Sequence, residues 1–372
     1  MAGLYIHIPF CKSRCIYCGF YSTTASEQRQ RYVDAVCREM EIRDHSDAIS
    51  TIYLGGGTPS QLSIQQLQQL FKAIYYIYKV EKDAEVTIEC NPDDVTADFA
   101  EALAQLPVNR VSMGAQTFDN HRLQFLHRRH TAEQVPEAIQ RLRDAGIRNI
   151  SIDLMYGFPD ETLDNWQHDI DAALSLNVEH ISAYCLMIEE GTALFELMNK
   201  EQTKKHFQVC DEETERQMYE RLIDQLTAAG YQHYEISNFS LPGFRSRHNS
   251  SYWTGVPYIG LGAAAHSYDG QRRLWNPDNL LRYTKGIEDG KTCYEGEELT
   301  ADTRYNDHVM LSLRTCEGLD IDTLSDSERA YLLPLAAKYI DNGLLLRSGN
   351  YLRLSRQGLF VSDMIMSDLM IV

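Results

Sequence analysis

The chain has 372 residues, of which 44% are hydrophobic and 24% are charged, a composition typical of a globular protein with a large core. Its 53 acidic and 35 basic residues give a net charge of −18, which repels phosphate backbones and argues against a nucleic-acid partner. No run approaches the roughly 18–20 apolar residues that span a bilayer, and the first residues lack a basic signal region. We therefore predict a cytoplasmic protein without a transmembrane segment.

From residue 4 to about 240, short β-branched runs alternate with longer helical patterns. The predicted strands lie at 4–8, 51–54, 85–90, 110–113, 149–154 and 180–187. The predicted helices lie at 27–45, 61–79, 96–105, 131–145, 162–176 and 202–229. Six strand–helix units in series predict a parallel sheet with right-handed crossovers. We expect an α/β fold in which residues 1–240 form a partial (β/α)6 barrel similar to the TIM barrel.

Unusual residues follow several of these strands. A cysteine cluster comes after the first strand, and Gly56, Gly57 and Thr58 come after the second. Gln116 follows the fourth strand, and Asp153 lies near the end of the fifth. Active sites of parallel barrels lie at the carboxyl ends of the strands. We therefore expect these segments to converge on one site.

The pattern changes after residue 240. Residues 241–275 are rich in loops and aromatic side chains, and a helical segment begins near residue 300. Two short apolar runs around Ser348-Gly349-Asn350 then predict a hairpin. We predict a connecting segment at 241–295, which would bind a ligand, and a smaller, mostly helical, winged-helix-like domain at 296–372.

Three of the nine cysteines, Cys11, Cys15 and Cys18, are spaced Cys-x3-Cys-x2-Cys, whereas the other six occur singly. In a reducing compartment a tight cluster indicates metal or redox chemistry rather than disulfides. Structural zinc is the alternative, but it usually takes four ligands in paired groups, and the sequence has no second pair. Three thiolates suit a cubane 4Fe–4S cluster that keeps one iron open.

This cysteine loop resembles the signature of the radical S-adenosylmethionine superfamily. The resemblance implies a 4Fe–4S cluster on Cys11, Cys15 and Cys18, with S-adenosylmethionine bound to the open iron. An electron, from a donor such as a flavodoxin or ferredoxin, would then cleave the sulfonium to a deoxyadenosyl radical. The resemblance assigns no catalytic residue.

The resemblance also implies which side chains contact S-adenosylmethionine. Gly56, Gly57 and Thr58 resemble the segment that meets the cofactor's amino group, and Tyr5 and Tyr17 resemble residues that pack on the cofactor. Four more positions match residues that contact one of two bound S-adenosylmethionines in the oxygen-independent coproporphyrinogen III oxidase group: Glu89, Gln116, Arg128 and Asp153. The tyrosines could equally be core aromatics, and Arg128 could belong to an exposed basic turn.

Two features distinguish this sequence from those oxidases. Their cysteine pattern ends in a fourth cysteine where this chain has Phe20, and they carry an N-terminal arm that we do not find ahead of the first strand. The run from His248 to Trp253 instead matches the His-Asn-x-x-Tyr-Trp motif of the HemW family of heme chaperones.

The HemW-like motif implies heme as a ligand. His248 would coordinate the iron, Tyr252 and Trp253 would cover the porphyrin, and Arg245 and Arg247 could pair with propionates. The alternative is that the rings belong to the core and that His248 is a satisfied polar residue. His266 is a second candidate iron ligand.

The leading hypothesis is a heme chaperone that transfers heme to acceptor hemoproteins, with those of the respiratory chain as one candidate class. The alternatives are an enzyme similar to coproporphyrinogen III oxidase and another radical enzyme, such as a tetrapyrrole methyltransferase. Whether the chain is an enzyme stays open at this point.

Overall fold

The computed structural model describes residues 1–43, 46–200 and 208–371. The strands are β1 (Ala2–Ile8), β2 (Ala48–Gly56), β3 (Lys79–Cys90), β4 (Arg110–Gln116), β5 (Asn149–Tyr156), β6 (His180–Cys185), β7 (Gln232–Glu235), β8 (Asn238–Ser240), β9 (Tyr258–Leu261), β10 (His266–Tyr268), β11 (Arg272–Trp275), β12 (Glu295–Glu298), β13 (Leu319–Asp320), β14 (Leu345–Ser348) and β15 (Tyr351–Leu354).

The α-helices are α1 (Arg29–Ile42), α2 (Ile64–Ile77), α3 (Ala97–Leu103), α4 (Asn120–Phe125), α5 (Gln134–Asp144), α6 (Leu163–Ser175), α7 (Ala193–Met198), α8 (Glu212–Ala228), α9 (Arg247–Trp253), α10 (Leu280–Glu288), α11 (Ala301–Leu313), α12 (Asp326–Asp341), α13 (Arg356–Leu359) and α14 (Ser362–Leu369). None of the helices in the described ranges is both long and apolar enough to cross a bilayer.

Strands β1 to β6 are parallel neighbours in chain order, with helices between them. This arrangement confirms the predicted α/β fold and its six-stranded partial barrel. Local sequence fixes where two of these helices begin. Ser63 and Thr162 form capping boxes at the amino ends of α2 and α6, which satisfy amide groups in the first turn of each helix.

The sheet continues beyond both ends of the barrel. The antiparallel hairpin of β7 and β8 follows β6, whereas β9 pairs in parallel with β1 and is followed by β10, β11 and β12. Residues 241–295 therefore contribute three strands to the main sheet, and a fourth, β12, begins at residue 295. The sequence pattern did not predict these strands because they are only three or four residues long.

Two predicted helices differ from the structure at one end. The helix predicted at 202–229 begins in the structure at α8, where the Asp211 side chain accepts a hydrogen bond from the Thr214 amide. Residues 201–207 lie outside the described part of the chain. The helix predicted at 27–45 ends at Ile42 in the structure. Residues 44 and 45 also lie outside the described part of the chain.

Apolar side chains form two main cores. The larger core fills the space between the barrel sheet and its helices. The second core joins α11, α12 and α14 to the three-stranded sheet of β13, β15 and β14. Helices packed on a small antiparallel sheet agree with the winged-helix-like fold expected for the C-terminal part.

A candidate cofactor site at the carboxyl edge of the barrel

The interior of the barrel is unusually polar. Successive residues of a strand point to opposite faces, so every second residue of β1 to β6 points inward. On β3 these are Glu85, Thr87 and Glu89, whereas their neighbours Val86 and Ile88 belong to the apolar core. The inward polar residues of the upper barrel line a cavity of about 640 Å³. Burying polar groups without hydrogen-bond partners costs free energy, so we expect this interior to bind a polar ligand.

All three clustered cysteines line this cavity. The Cys11 Sγ lies 3.4 Å from the Thr58 Oγ1, and Arg128 donates from Nη1 to the Cys15 Sγ at 3.6 Å. The Cys18 amide donates to the Cys15 carbonyl at 3.3 Å, which curls the loop. The structure thus brings the cysteines to the site that the strand ends predicted.

The number of thiols and their position at the cavity fit a cluster with one open iron. A tetrahedral zinc site needs its ligands around one atom. Within the described ranges, no three His, Cys, Asp or Glu side chains converge closely enough to hold one metal ion. In a cubane each thiolate binds its own iron, so the sulfurs stay apart. Three cavity-facing thiols match that donor set.

The glycines at the end of β2 allow a close approach of two backbones. Gly56 has φ +105°, a conformation that side chains disfavour. A Cβ on Gly57 would lie 2.7 Å from the Ile8 carbonyl oxygen. The Gly57 amide donates to that oxygen at 2.9 Å, and the Thr58 amide donates to the Phe10 carbonyl at 2.9 Å. This segment is therefore tied to the start of the cysteine loop and lines the cavity beside it.

Two half-buried carboxyl groups face the cavity. Glu89 accepts from the Tyr53 hydroxyl at 2.7 Å and from the Gly56 amide at 3.0 Å, and burial raises its pKa to about 7. Burial raises the pKa of Asp153 to about 6, although Ser182 and Ser112 stabilise its charged form by hydrogen bonding. Both groups can accept hydrogen bonds from ligand hydroxyls or amines.

Arg128 lies in the wall of the cavity and not in an exposed turn. Its Nη2 donates to the Gly114 carbonyl at 2.6 Å and to the Asn91 Oδ1 at 2.8 Å. Gln116 also lines the cavity and has φ +68°, which marks a locally strained backbone at the end of β4. Both residues therefore line the cavity, and their contact with S-adenosylmethionine stays a prediction.

The two predicted tyrosines lie in different places. Tyr17, within the cysteine loop, lines the cavity. Tyr5 does not: its hydroxyl lies 3.0 Å from the His7 Nδ1, and its ring centroid lies 6.2 Å from that of Tyr53. Contact between Tyr5 and a cofactor stays a prediction.

The His-Asn-x-x-Tyr-Trp motif forms α9, which closes the opposite end of the barrel. His248 is 1% exposed, and its Nδ1 and Nε2 lie 2.8 Å from the Thr51 Oγ1 and the Tyr252 hydroxyl, respectively. Burial lowers the pKa of His248 to about 3, so its imidazole is neutral. The Asn249 side chain reaches the cavity from below. In this conformation neither nitrogen of His248 is free to coordinate iron.

The other predicted heme contacts are engaged with protein groups. The Arg314 guanidinium lies 4.7 Å from the Trp253 ring centroid. Arg245 pairs with Glu317 at 2.6 Å, and Arg247 donates to the Asp83 carbonyl at 2.6 Å. His266 lies on β10, exposed and stacked on Trp275, and it does not line the cavity.

Several lining residues were not predicted. They include Arg110 and Ser112 on β4, Ser182 and Tyr184 on β6, and Met187 after β6. Arg110 and Ser112 precede Gln116 by six and four residues, so the alternation of a strand could have placed them on the same face.

Comparison with known proteins shows the family. The family model of the radical SAM superfamily matches residues 5–173, and that of the HemN C-terminal domain matches residues 299–361. The heme chaperone HemW of Bacillus subtilis is 35% identical, covering 96% of each chain. HemW of Escherichia coli is 31% identical over 98% of this chain and 97% of its own. The chain belongs to the HemW family.

A solved structure supports the fold of this HemW family member. The coproporphyrinogen III oxidase HemN from Escherichia coli, described as a radical SAM enzyme, superposes with a TM-score of 0.86. The match covers 99% of this chain and 89% of HemN, at 23% sequence identity. Membership of the radical SAM superfamily implies a 4Fe–4S cluster and S-adenosylmethionine, and the cysteines, glycines and polar walls described above fit both.

Proposed function

We propose that this chain is a heme chaperone of the radical SAM superfamily that binds heme at the mouth of the cavity and passes it to acceptor hemoproteins. One observation carries the proposal: large apolar side chains surround the mouth beside the cysteine loop. Phe20, Met187 and Tyr184 are 69%, 65% and 43% exposed, respectively, and all three line the cavity. An exposed apolar rim of this kind suits a flat macrocycle.

The rim also carries groups that suit the rest of heme. Arg14 is exposed at the mouth, where its guanidinium can pair with a propionate. The thioether of Met187 is a known type of iron ligand. The curated relatives are named heme chaperones, which agrees with this assignment.

Cys11, Cys15 and Cys18 would hold the cluster. Gly56, Gly57 and Thr58 would meet S-adenosylmethionine together with the following cavity-lining residues: Tyr17, Glu89, Gln116, Arg128 and Asp153. When bound, the cluster supplies an electron that can cleave the sulfonium. The electron donor would be a flavodoxin or ferredoxin, and the proposed location is the cytoplasm, whose reducing conditions keep thiols free.

Ligation of heme iron by His248 requires a different conformation of the chain. The helix α9 must move away from β2 so that the imidazole loses its contact with Thr51, and the Tyr252 side chain, which lies on the same helix as His248, must rotate away from Nε2. Tyr252 and Trp253 would then contact the porphyrin. We propose the mouth as the site of first heme contact, with His248 as a ligand in the opened state.

Anaerobic reconstitution followed by heme titration tests the proposal. We expect Phe20→Ser with Met187→Ser to weaken heme binding at least tenfold, because both side chains lose apolar contact. Tyr76→Ser is the matched control, since Tyr76 is 90% exposed on α2 and does not line the cavity. No heme binding by the wild type would refute the function, and equal affinity of the double variant would refute the site.

A His248→Ala variant tests the opened state separately. Loss of an axial imidazole should change the heme absorption spectrum, whereas an unchanged spectrum and affinity would remove His248 as a ligand. Conversion of coproporphyrinogen to protoporphyrinogen by the reconstituted wild type would favour the oxidase alternative over the chaperone.

A further inference from the structure

Arg110 is a buried cation with free donors in the barrel. It is 1% exposed and lies at the amino-terminal end of β4, yet it lines the cavity. Its Nε and Nη1 have no hydrogen-bond partner among the described residues. A buried guanidinium with unused N–H groups is costly, and such a group is normally satisfied by an acceptor.

The carboxyl groups nearest to Arg110 do not use its donors. Both oxygens of Glu89 are bonded, one to the Tyr53 hydroxyl and one to the Gly56 amide. The hydroxyl groups of Ser182 and Ser112 stabilise the charged form of Asp153. Within the described part of the chain, Arg110 therefore has only electrostatic interactions with these carboxylates, and its Nε and Nη1 donors remain available for a ligand.

The position of Arg110 separates it from the cluster end of the cavity. It precedes Gly114, whose carbonyl binds Arg128, by four residues of β4. At about 3.3 Å per strand residue its Cα lies roughly 13 Å below Gly114. The cluster loop and the glycine-rich segment both lie at the upper end. A ligand group at Arg110 must therefore reach past the cluster-proximal layer.

We propose that Arg110 forms a carboxylate-binding subsite on the floor of the cavity, with Asn249 and Ser182 as neighbouring polar groups. A guanidinium matches a carboxylate geometrically through two parallel N–H donors. The inference rests on the proposed function, because it assigns a place to the acidic arm of a ligand that enters this cavity. Two ligands carry such a group: heme, through a propionate directed into the cavity, and a second molecule of S-adenosylmethionine, through its amino-acid part, because the first molecule uses that part at the cluster.

Paired ligands distinguish the two sources. The reconstituted holoprotein would be titrated with heme and heme dimethyl ester, and separately with S-adenosylmethionine and its decarboxylated form. These four titrations would be repeated with Arg110→Gln, Arg110→Lys and the surface control Arg38→Gln. Circular dichroism and iron content would show that each variant is folded and loaded.

For each pair, the affinity for the ligand with a free carboxylate is divided by the affinity for its partner. In one pair this ratio should be about 10- to 100-fold larger for the wild type than for Arg110→Gln, as expected for a charge-assisted hydrogen bond. Arg110→Lys should fall between them, and Arg38→Gln should match the wild type. The pair that shows this difference identifies the source. A carboxylate bound at the cluster also contributes to the measured preference. This contribution is the same in the wild type and in every variant, so it cancels when their ratios are compared.

The proposal is overturned if the carboxylate preference in both pairs is the same in wild type and Arg110→Gln. If Arg110→Gln fails to fold, a wild-type preference retained in full by Arg110→Lys overturns the bidentate subsite. Failure of the wild type to bind heme would refute the proposed function while leaving the S-adenosylmethionine pair to decide the role of Arg110.

Discussion

At the scale of single residues, the site contains glutamate and cysteine side chains that contact other groups of the cavity, whereas residues of the same types elsewhere in the chain are exposed to solvent. Glu89 is held in the barrel by a hydroxyl and an amide, whereas Glu101 is exposed on α3. Cys15 faces the cavity beside Arg128, whereas Cys316 is exposed in the C-terminal part. These contrasts provide matched controls.

Replacement of Cys15 by alanine should abolish the cluster, because a cubane held by two thiolates is poorly retained. Iron analysis of the anaerobically reconstituted protein should fall from about four irons per chain to below about one. Cys316→Ala should keep the full content. Equal iron in both variants would show that Cys15 is not a ligand.

The pKa of Glu89 predicts a pH dependence of stability. Burial raises this pKa from 4.5 to about 7, so the folded chain binds the proton more tightly than the unfolded chain. The stability from this group is complete below pH 4.5 and is lost as the pH rises through about 7. Urea denaturation should show the wild type losing up to about 3 kcal/mol relative to Glu89→Gln over this interval.

Glu101→Gln controls for the removal of a carboxylate, because Glu101 is exposed. Its stability should follow the wild type across the same pH interval. A constant difference between wild type and Glu89→Gln from pH 5 to pH 8 would contradict a raised pKa at Glu89.

At the scale of elements, short segments close both ends of the barrel. The cysteine loop is held above the sheet by backbone bonds from the Ile16 amide to the Leu126 carbonyl and from the Leu194 amide to the Ile16 carbonyl. Below the sheet, α9 is held by Glu85, which accepts from the Arg247 and His248 amides, each at 2.9 Å. Each closure therefore depends on a few polar contacts.

Glu85→Gln should loosen α9, because an amide oxygen replaces the charged carboxylate that accepts both amides. Hydrogen exchange of residues 247–253 should quicken about 10- to 100-fold, which corresponds to roughly 1.5–3 kcal/mol of opening free energy. Asp83→Asn is the control, since it removes only an exposed ion pair with Arg247, and we expect little change there. Equal protection in both variants would show that Glu85 does not anchor the helix.

At the scale of the whole molecule, two cores are joined by a partly buried ion pair. Arg314, at the end of α11, contacts Glu235 of β7 at 2.6 Å, and Glu235 is 2% exposed. The same guanidinium covers the Trp253 ring. The placement of domain boundaries near residues 240 and 295 stays a proposal, and this junction is where it can be tested.

Arg314→Ala should destabilise the chain by about 3 kcal/mol, because it leaves the Glu235 carboxylate buried without its cation. Adding Glu235→Gln should recover part of the loss, because the amide carries no charge. Arg356→Ala removes an exposed pair with Asp224 and should cost less than about 1 kcal/mol. Calorimetry measures all three, and equal effects of Arg314→Ala and Arg356→Ala would contradict a linking role for Arg314.

The sequence alone determined much of this protein. The short β-branched runs predicted all six barrel strands, and the Cys-x3-Cys-x2-Cys spacing placed a thiol cluster after the first of them, because both signals are local. The glycine-rich segment, Gln116 and Asp153 were placed at the correct edge because parallel strands all end on one side of a sheet.

Only the tertiary structure decided the state of the remaining groups. The local pattern around His248 gives no sign that Thr51, from a distant strand, occupies its Nδ1. Likewise, nothing near Arg110 in the chain shows that two of its guanidinium nitrogens are buried without a partner among the described residues. Burial and hydrogen bonding depend on residues far apart in sequence, so the chemistry of such groups appears only when the strands are assembled.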